Sequence, residues 1–184
     1  MDAYPPAHSS VGHHTHEVLN QPPPRQGIDE YAANVPLAEG VRVFGAGWAD
    51  EQLHRVGGHV GSAEFQRDAE LANIHPPVLE THDRWGRRVD EVSYHPAYHR
   101  IMAAAIGAGA HTSAWADPRP GANVARAATF MLLAQVEPGH ACPVSMTHSA
   151  VPTLRYQPEL AAVWEPKALS RDYDPRLGDP TKTS

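Results

Sequence analysis

Thirteen histidines stand out in this 184-residue sequence, and metal or acid–base chemistry would begin with them. His13, His14 and His16 lie together near the start, and His95 and His99 are four apart. That second spacing puts both rings on one helix face, provided the helix includes His95. A zinc-protease helix would carry a glutamate directly after its first histidine, whereas His95 is followed by Pro96, and no third ligand is identifiable. The first group reads as part of a solvated arm and the second as capping or packing residues, with no metal site.

Cys142 has His140 and His148 near it in sequence, and a neighbouring imidazole is what lowers a thiol pKa and makes it a nucleophile. A small buried residue beside a helix start is the reading preferred here. It is the only cysteine, which excludes an internal disulfide and a cluster of cysteine zinc ligands. Ser145 has no G-x-S-x-G elbow around it. Neither Gly45-Ala46-Gly47 nor Gly57-Gly58 opens the strand, turn and helix of a phosphate loop, so these are turn glycines. Arg84, Arg87 and Arg88 could touch phosphate, but Asp83, Asp90 and Glu91 surround them, as in a solvated or salt-bridged turn.

Composition narrows the classes. Apolar residues make up 41% of the chain, enough for the core of one domain, and 15 basic against 21 acidic residues leave a formal charge of −6. That balance argues against a grip on phosphate backbones by this chain. The opening MDAYPPAHSSVGHHTHEV has neither the basic start nor the apolar run of a secretory signal, and a cytoplasmic, reducing setting is expected. The longest apolar stretch, Ala127 to Val136, falls far short of the roughly 20 residues of a membrane helix, so no membrane association is expected.

The elements that must position these residues are mostly helical. Residues 1–26, with Pro22, Pro23 and Pro24 in a row, read as a flexible arm rich in proline and histidine. IDEYAANVPLAEGVRVFG predicts two short helices broken before Pro36. Asp50 is placed as the cap of a helix through Glu51 to Val56, and Ser62 as the cap of the next, which His75-Pro76-Pro77 stops. VLETHDRWGRRVDEVSY predicts a short hairpin about Asp83-Arg84-Trp85-Gly86. A helix follows from Pro96 to near Gly107 or Gly109, then a polar loop HTSAWADPRPGA. Residues 122–137 are apolar nearly all round and predict a central helix. Another helix should start near Pro143 and reach Leu154 with Pro152 loosening it, and a short one should span Glu159 to Trp164. Residues 171–184 read as a linker.

Three long strings, GRRVDEVSYHPAYHRIM, ARAATFMLLAQVEPGHACPVSMTHSAVPTL and LSRDYDPRL, resemble the amino-terminal half of AidB-type acyl-CoA dehydrogenases in order and spacing. HEVLNQPPP and ELANIHPP extend the resemblance over roughly residues 16–178. It implies a mainly α fold, a helical acyl-CoA dehydrogenase amino-terminal-domain-like bundle over residues 27–170 with a short β-hairpin excursion.

The resemblance further implies a longer flavoprotein, with a β domain and a carboxy-terminal helical bundle following this domain and FAD held between those two and across subunits. In such a protein a glutamate of the carboxy-terminal bundle removes the proton α to an acyl-CoA thioester. The amino-terminal domain supplies one wall of the acyl pocket. Ser145, Met146, Thr147 and His148 resemble the helix facing the acyl chain, with Met146 and Ala150 expected on one side of it and Val144, Thr147 and Val151 on another. No catalytic or flavin-binding residue carries over onto this chain, which is expected to end just before the flavin segment, to bind FAD weakly or not at all, and to be inactive alone. A homotetramer is implied for the full-length protein. Two alternatives accompany the dehydrogenase reading: a DNA-associated alkylation-damage-response flavoprotein that meets DNA through its carboxy-terminal domain, and a non-catalytic helical binding module.

Overall fold

The computed structural model describes residues 20–177. Helix α1 (Glu30–Ala33) is capped by Asp29, whose side chain accepts from the Tyr31 and Ala32 amides. Asn34 closes α1 and starts α2 (Val35–Val43), its side chain accepting from the Leu37 amide at 3.2 Å, so the predicted break falls two residues before Pro36. A 3₁₀ turn (Gly47–Ala49) leads into α3 (Asp50–Val60), and α4 (Ala63–Ile74) follows under the predicted Ser62 cap, 3.1 Å from the Phe65 amide.

The expectation for Asp50 fails in a specific way. Ala49 is the capping residue, and Asp50 is the first helical residue. Its carboxylate accepts instead from the Tyr31 hydroxyl at 2.5 Å and from Arg42 at 3.1 Å, tying α1 and α2 to α3. Helix α3 also runs past Val56 to Val60, through Gly57 and Gly58. Gly57 is required there: a Cβ would stand 2.6 Å from the Tyr31 backbone nitrogen, so only glycine lets α1 lie against α3 this closely.

The hairpin is present as β1 (Val78–His82) and β2 (Arg88–Ser93), antiparallel, with Val78 opposite Ser93, Leu79 opposite Val92 and Glu80 opposite Glu91. Asp83 closes the turn, its Oδ1 accepting from the Trp85 and Arg87 amides, and Gly86 takes the positive φ of 78°. A bulge between Glu80 and His82 shifts the register near the tip.

Helix α5 (Pro96–Gly107) starts with proline in its first turn, as predicted. The segment expected to be a polar loop instead holds a short helix, α6 (Ser113–Ala116), and buries His111, Thr112 and Ala114. Its polar groups are tolerated inside because backbone carbonyls meet them: Thr112 donates to Ala168 at 3.2 Å and His111 Nε2 to Ser170 at 2.9 Å.

Helix α7 (Ala122–Ala134) is the centre of the core, burying Ala125, Ala128, Thr129, Leu132 and Leu133 against Leu53, Ile101 and Val144. It is not covered all round, since Met131 is 53% exposed. Helix α8 (Ala141–Leu154) begins two residues before Pro143 and continues through Pro152. Helix α9 (Pro158–Ala168) is longer than expected, reaching four residues past Trp164 with Pro166 inside it.

Candidate functional site: an apolar groove along the eighth helix

Along α8, Pro143, Thr147, Ala150 and Leu154 recur every three or four residues and form one side of a groove of about 380 Å³. Met102 and Ile106 of α5 line it from beneath, and Trp164 and Ala168 of α9 close it from the side. Lys167, Tyr173 and His111 complete it. The lining is overwhelmingly apolar and its size is that of a small-molecule site. Thr147 contributes little polarity, because its hydroxyl donates to the Pro143 carbonyl at 3.0 Å.

The titratable groups at the rim are held by hydrogen bonds that fix their form. The Tyr173 hydroxyl lies 2.7 Å from His99 Nδ1, and its pKa is pushed up to about 12 by burial, with Tyr98 and Tyr94 adding to the shift. His111 is wholly buried. Its Nε2 donates to the Ser170 carbonyl, so Nε2 carries the proton and Nδ1, which is buried without a partner, is the free acceptor. Burial chiefly lowers the His111 pKa, with Arg171, Arg126 and His148 acting the same way and the Ser170 carbonyl opposing. His148 Nδ1 donates to the His111 carbonyl at 2.9 Å, and burial followed by Arg126 lowers its pKa also. Both imidazoles are therefore neutral near pH 7 and engaged with backbone.

The four residues singled out by resemblance do not share one environment. Thr147 lines the groove, and His148 lies beside it, stacked on Trp115 with ring centroids 5.2 Å apart. Ser145 is exposed, and Met146, one step round the helix and 66% exposed, lies outside the lining. Ala150 therefore shares the groove with Thr147 and not, as expected, a side with Met146, while Val144 and Val151 face the core. Helix α8 packs through Val144 and Val151, and this sets its rotation.

Cys142 is exposed, not buried as expected, because the helix starts early enough to turn it outward. His95 caps α5, its Nδ1 accepting from the Ala97 amide at 3.2 Å, while His99 is engaged by Tyr173. No group of three potential metal ligands gathers among the described residues. His13, His14 and His16 lie outside those residues. Met102, Ile106, Trp164 and Tyr173 were missed as groove residues. Met102 and Ile106 fall within the helix predicted from Pro96, where nothing in the sequence separates groove from core, and Tyr173 falls in the segment that reads as a linker.

A Cβ on Gly61 would meet the Ile28 carbonyl and one on Gly121 the Gly45 carbonyl, so these two close approaches serve the chain's own packing and neither forms an open cradle for a pyrophosphate.

A helical domain with an open apolar groove and an exposed hairpin is the class these elements define, and solved structures share its fold. The protein solved as "Bd2924 apo-form" matches with a TM-score of 0.74 at 24% identity, over 80% of this chain and 31% of that one. Caenorhabditis elegans ACDH-11, solved in complex with C11-CoA, matches with a TM-score of 0.71 at 21% identity, over 88% and 29%. These likenesses establish the fold.

A family model described as "Adaptive response protein AidB N-terminal domain" matches residues 20–175, and this chain belongs to that family. The Escherichia coli (strain K12) protein named "Putative acyl-CoA dehydrogenase AidB" is 44% identical over 165 residues, 89% of this chain. The chain spans only 30% of that relative's length. Among the described residues no helix is long and apolar enough to cross a membrane.

Proposed function

We propose that this chain is the amino-terminal helical domain of a FAD-dependent acyl-CoA dehydrogenase-like flavoprotein and forms one wall of its acyl pocket through the groove along α8. The observation that carries this reading is the apolar groove itself, on the helix that the resemblance assigned to the acyl chain. The complex of ACDH-11 with C11-CoA supports an acyl-CoA as ligand for this fold. FAD and the base that removes the α proton belong to parts of the full-length protein outside this chain. The part of this chain is to hold the alkyl tail in a dry trough: hydrocarbon burial contributes about 0.8 kcal/mol per methylene.

The full-length protein settles the class by its absorbance. A flavin spectrum that survives gel filtration, and that changes when a long-chain acyl-CoA is added, is the expected result. A colourless full-length protein would reject the flavoprotein reading. A DNA role by this domain is disfavoured by its charge of −6. Retardation of DNA by the 184-residue chain, lost at high salt, would reverse that judgement.

A further inference from the structure

The hairpin is amphipathic, and nothing among the described residues fully covers its apolar side, where Val92 is only half-buried. Leu79 and Val92 stand directly opposite each other on one face, where Leu79 is 59% exposed. Glu80 and Glu91 stand opposite each other on the other face, with the Ser93 hydroxyl donating to Glu80 at 3.3 Å. Two carboxylates placed across a strand pair repel, a cost that water screens, so this face belongs in solvent. The Leu79–Val92 face is the one to be buried. A two-stranded ribbon with neither face packed is at best marginally stable in water, so the ribbon as it stands lacks a partner.

The course of the chain says where that partner begins. After α9 the backbone returns to the root of the hairpin. Tyr173 bonds to His99 in the first turns of α5, and Tyr94, the residue after β2, stacks on Tyr98 at 4.5 Å between centroids. Tyr173, four residues before the last described one, is therefore held at the root of the ribbon, and docking of later chain onto the ribbon would be intramolecular, favoured by effective concentration. The Escherichia coli relative is more than three times as long as the matched region, so the full-length protein has chain to supply.

We infer that the Leu79–Val92 face of the hairpin is the docking surface for the polypeptide that follows this domain in the same full-length molecule. This rests on the reading of the chain as part of a longer flavoprotein. The occupant is a downstream apolar segment in cis, and the Glu80–Glu91 face marks the solvent side.

Amide hydrogen exchange on the full-length protein tests it. Residues 78–93 should exchange at least ~tenfold more slowly than an unprotected chain, and Leu79→Lys should abolish that protection while Glu80→Lys leaves it. Val92→Lys serves in its place if Leu79→Lys does not fold. Unprotected residues 78–93 in the wild type would overturn the inference, as would equal effects of the substitutions on the two faces. Protection that grows with protein concentration would also overturn it, by making a second copy the occupant. Loss of flavin colour is a separate result: it bears on the flavoprotein reading, whereas ribbon protection is measured without reference to flavin.

Discussion

The indole Nε1 of Trp115 donates to the His148 carbonyl at 2.9 Å, and that carbonyl is the acceptor Pro152 leaves without its helical partner. Residue 152 would normally return an N–H to residue 148, and proline has none. The tryptophan supplies the missing donor from α6 and lays its ring on the His148 imidazole. Helix α8 therefore runs on through Pro152, which carries Leu154 to the end of the groove.

Trp115→Phe keeps an aromatic ring and removes only the donor, so it should cost about 1 to 3 kcal/mol in urea unfolding. Pro152→Ala restores a backbone N–H and should recover part of that loss in the Trp115→Phe background. A double-mutant cycle with no coupling between the two positions would show that the indole does not compensate for the proline.

Leu133, fully inside the core, should lose about 2 to 5 kcal/mol on truncation to alanine. Met131, two residues away on the uncovered side of α7, should change stability by no more than about 0.5 kcal/mol on the same substitution. Similar costs at both positions would contradict the orientation of the central helix.

Acid should weaken the fold through His111 and His148. Both have pKa values lowered from the ordinary 6.5, so as pH falls the unfolded chain takes up these protons before the folded one does. Their contribution to stability is complete above about pH 6.5 and is lost as pH drops through the folded-state values. Tm should fall as pH drops below about 6.5, and the slope should be shallower in His111→Asn and His148→Asn. An unchanged slope in both variants would assign the acid sensitivity to other groups.

Much of the fold was legible because its signals are local. Ser62 before α4, Pro96 at the start of α5 and the Asp83–Gly86 turn each act within a few residues of themselves. Several of the misreadings involve distant partners. Asp50 had the sequence of a cap, but Tyr31 and Arg42 claim its carboxylate. The stretch around His111 looked too polar to bury, and what buries it are carbonyls of Ala168 and Ser170, more than fifty residues on. At the groove, α8 could be named but not rotated, since its rotation depends on Val144 and Val151 finding the core and a two-proline helix gives no clean period. Tyr173 could not be placed at all, because its partner His99 lies 74 residues earlier.

Whether the Thr147–Ala150 side of α8 receives the acyl chain is read from binding of long-chain acyl-CoA by the full-length protein carrying Ala150→Trp. Flavin fluorescence titrated with acyl-CoA thioesters of increasing length reads the affinity. Ala150→Trp should weaken long-chain binding by about tenfold or more, roughly 1.4 kcal/mol, while short-chain binding and Tm change little. Met146→Trp, outside the lining, should leave both intact. Unchanged long-chain binding in a folded Ala150→Trp protein, or an equal loss in Met146→Trp, would contradict it.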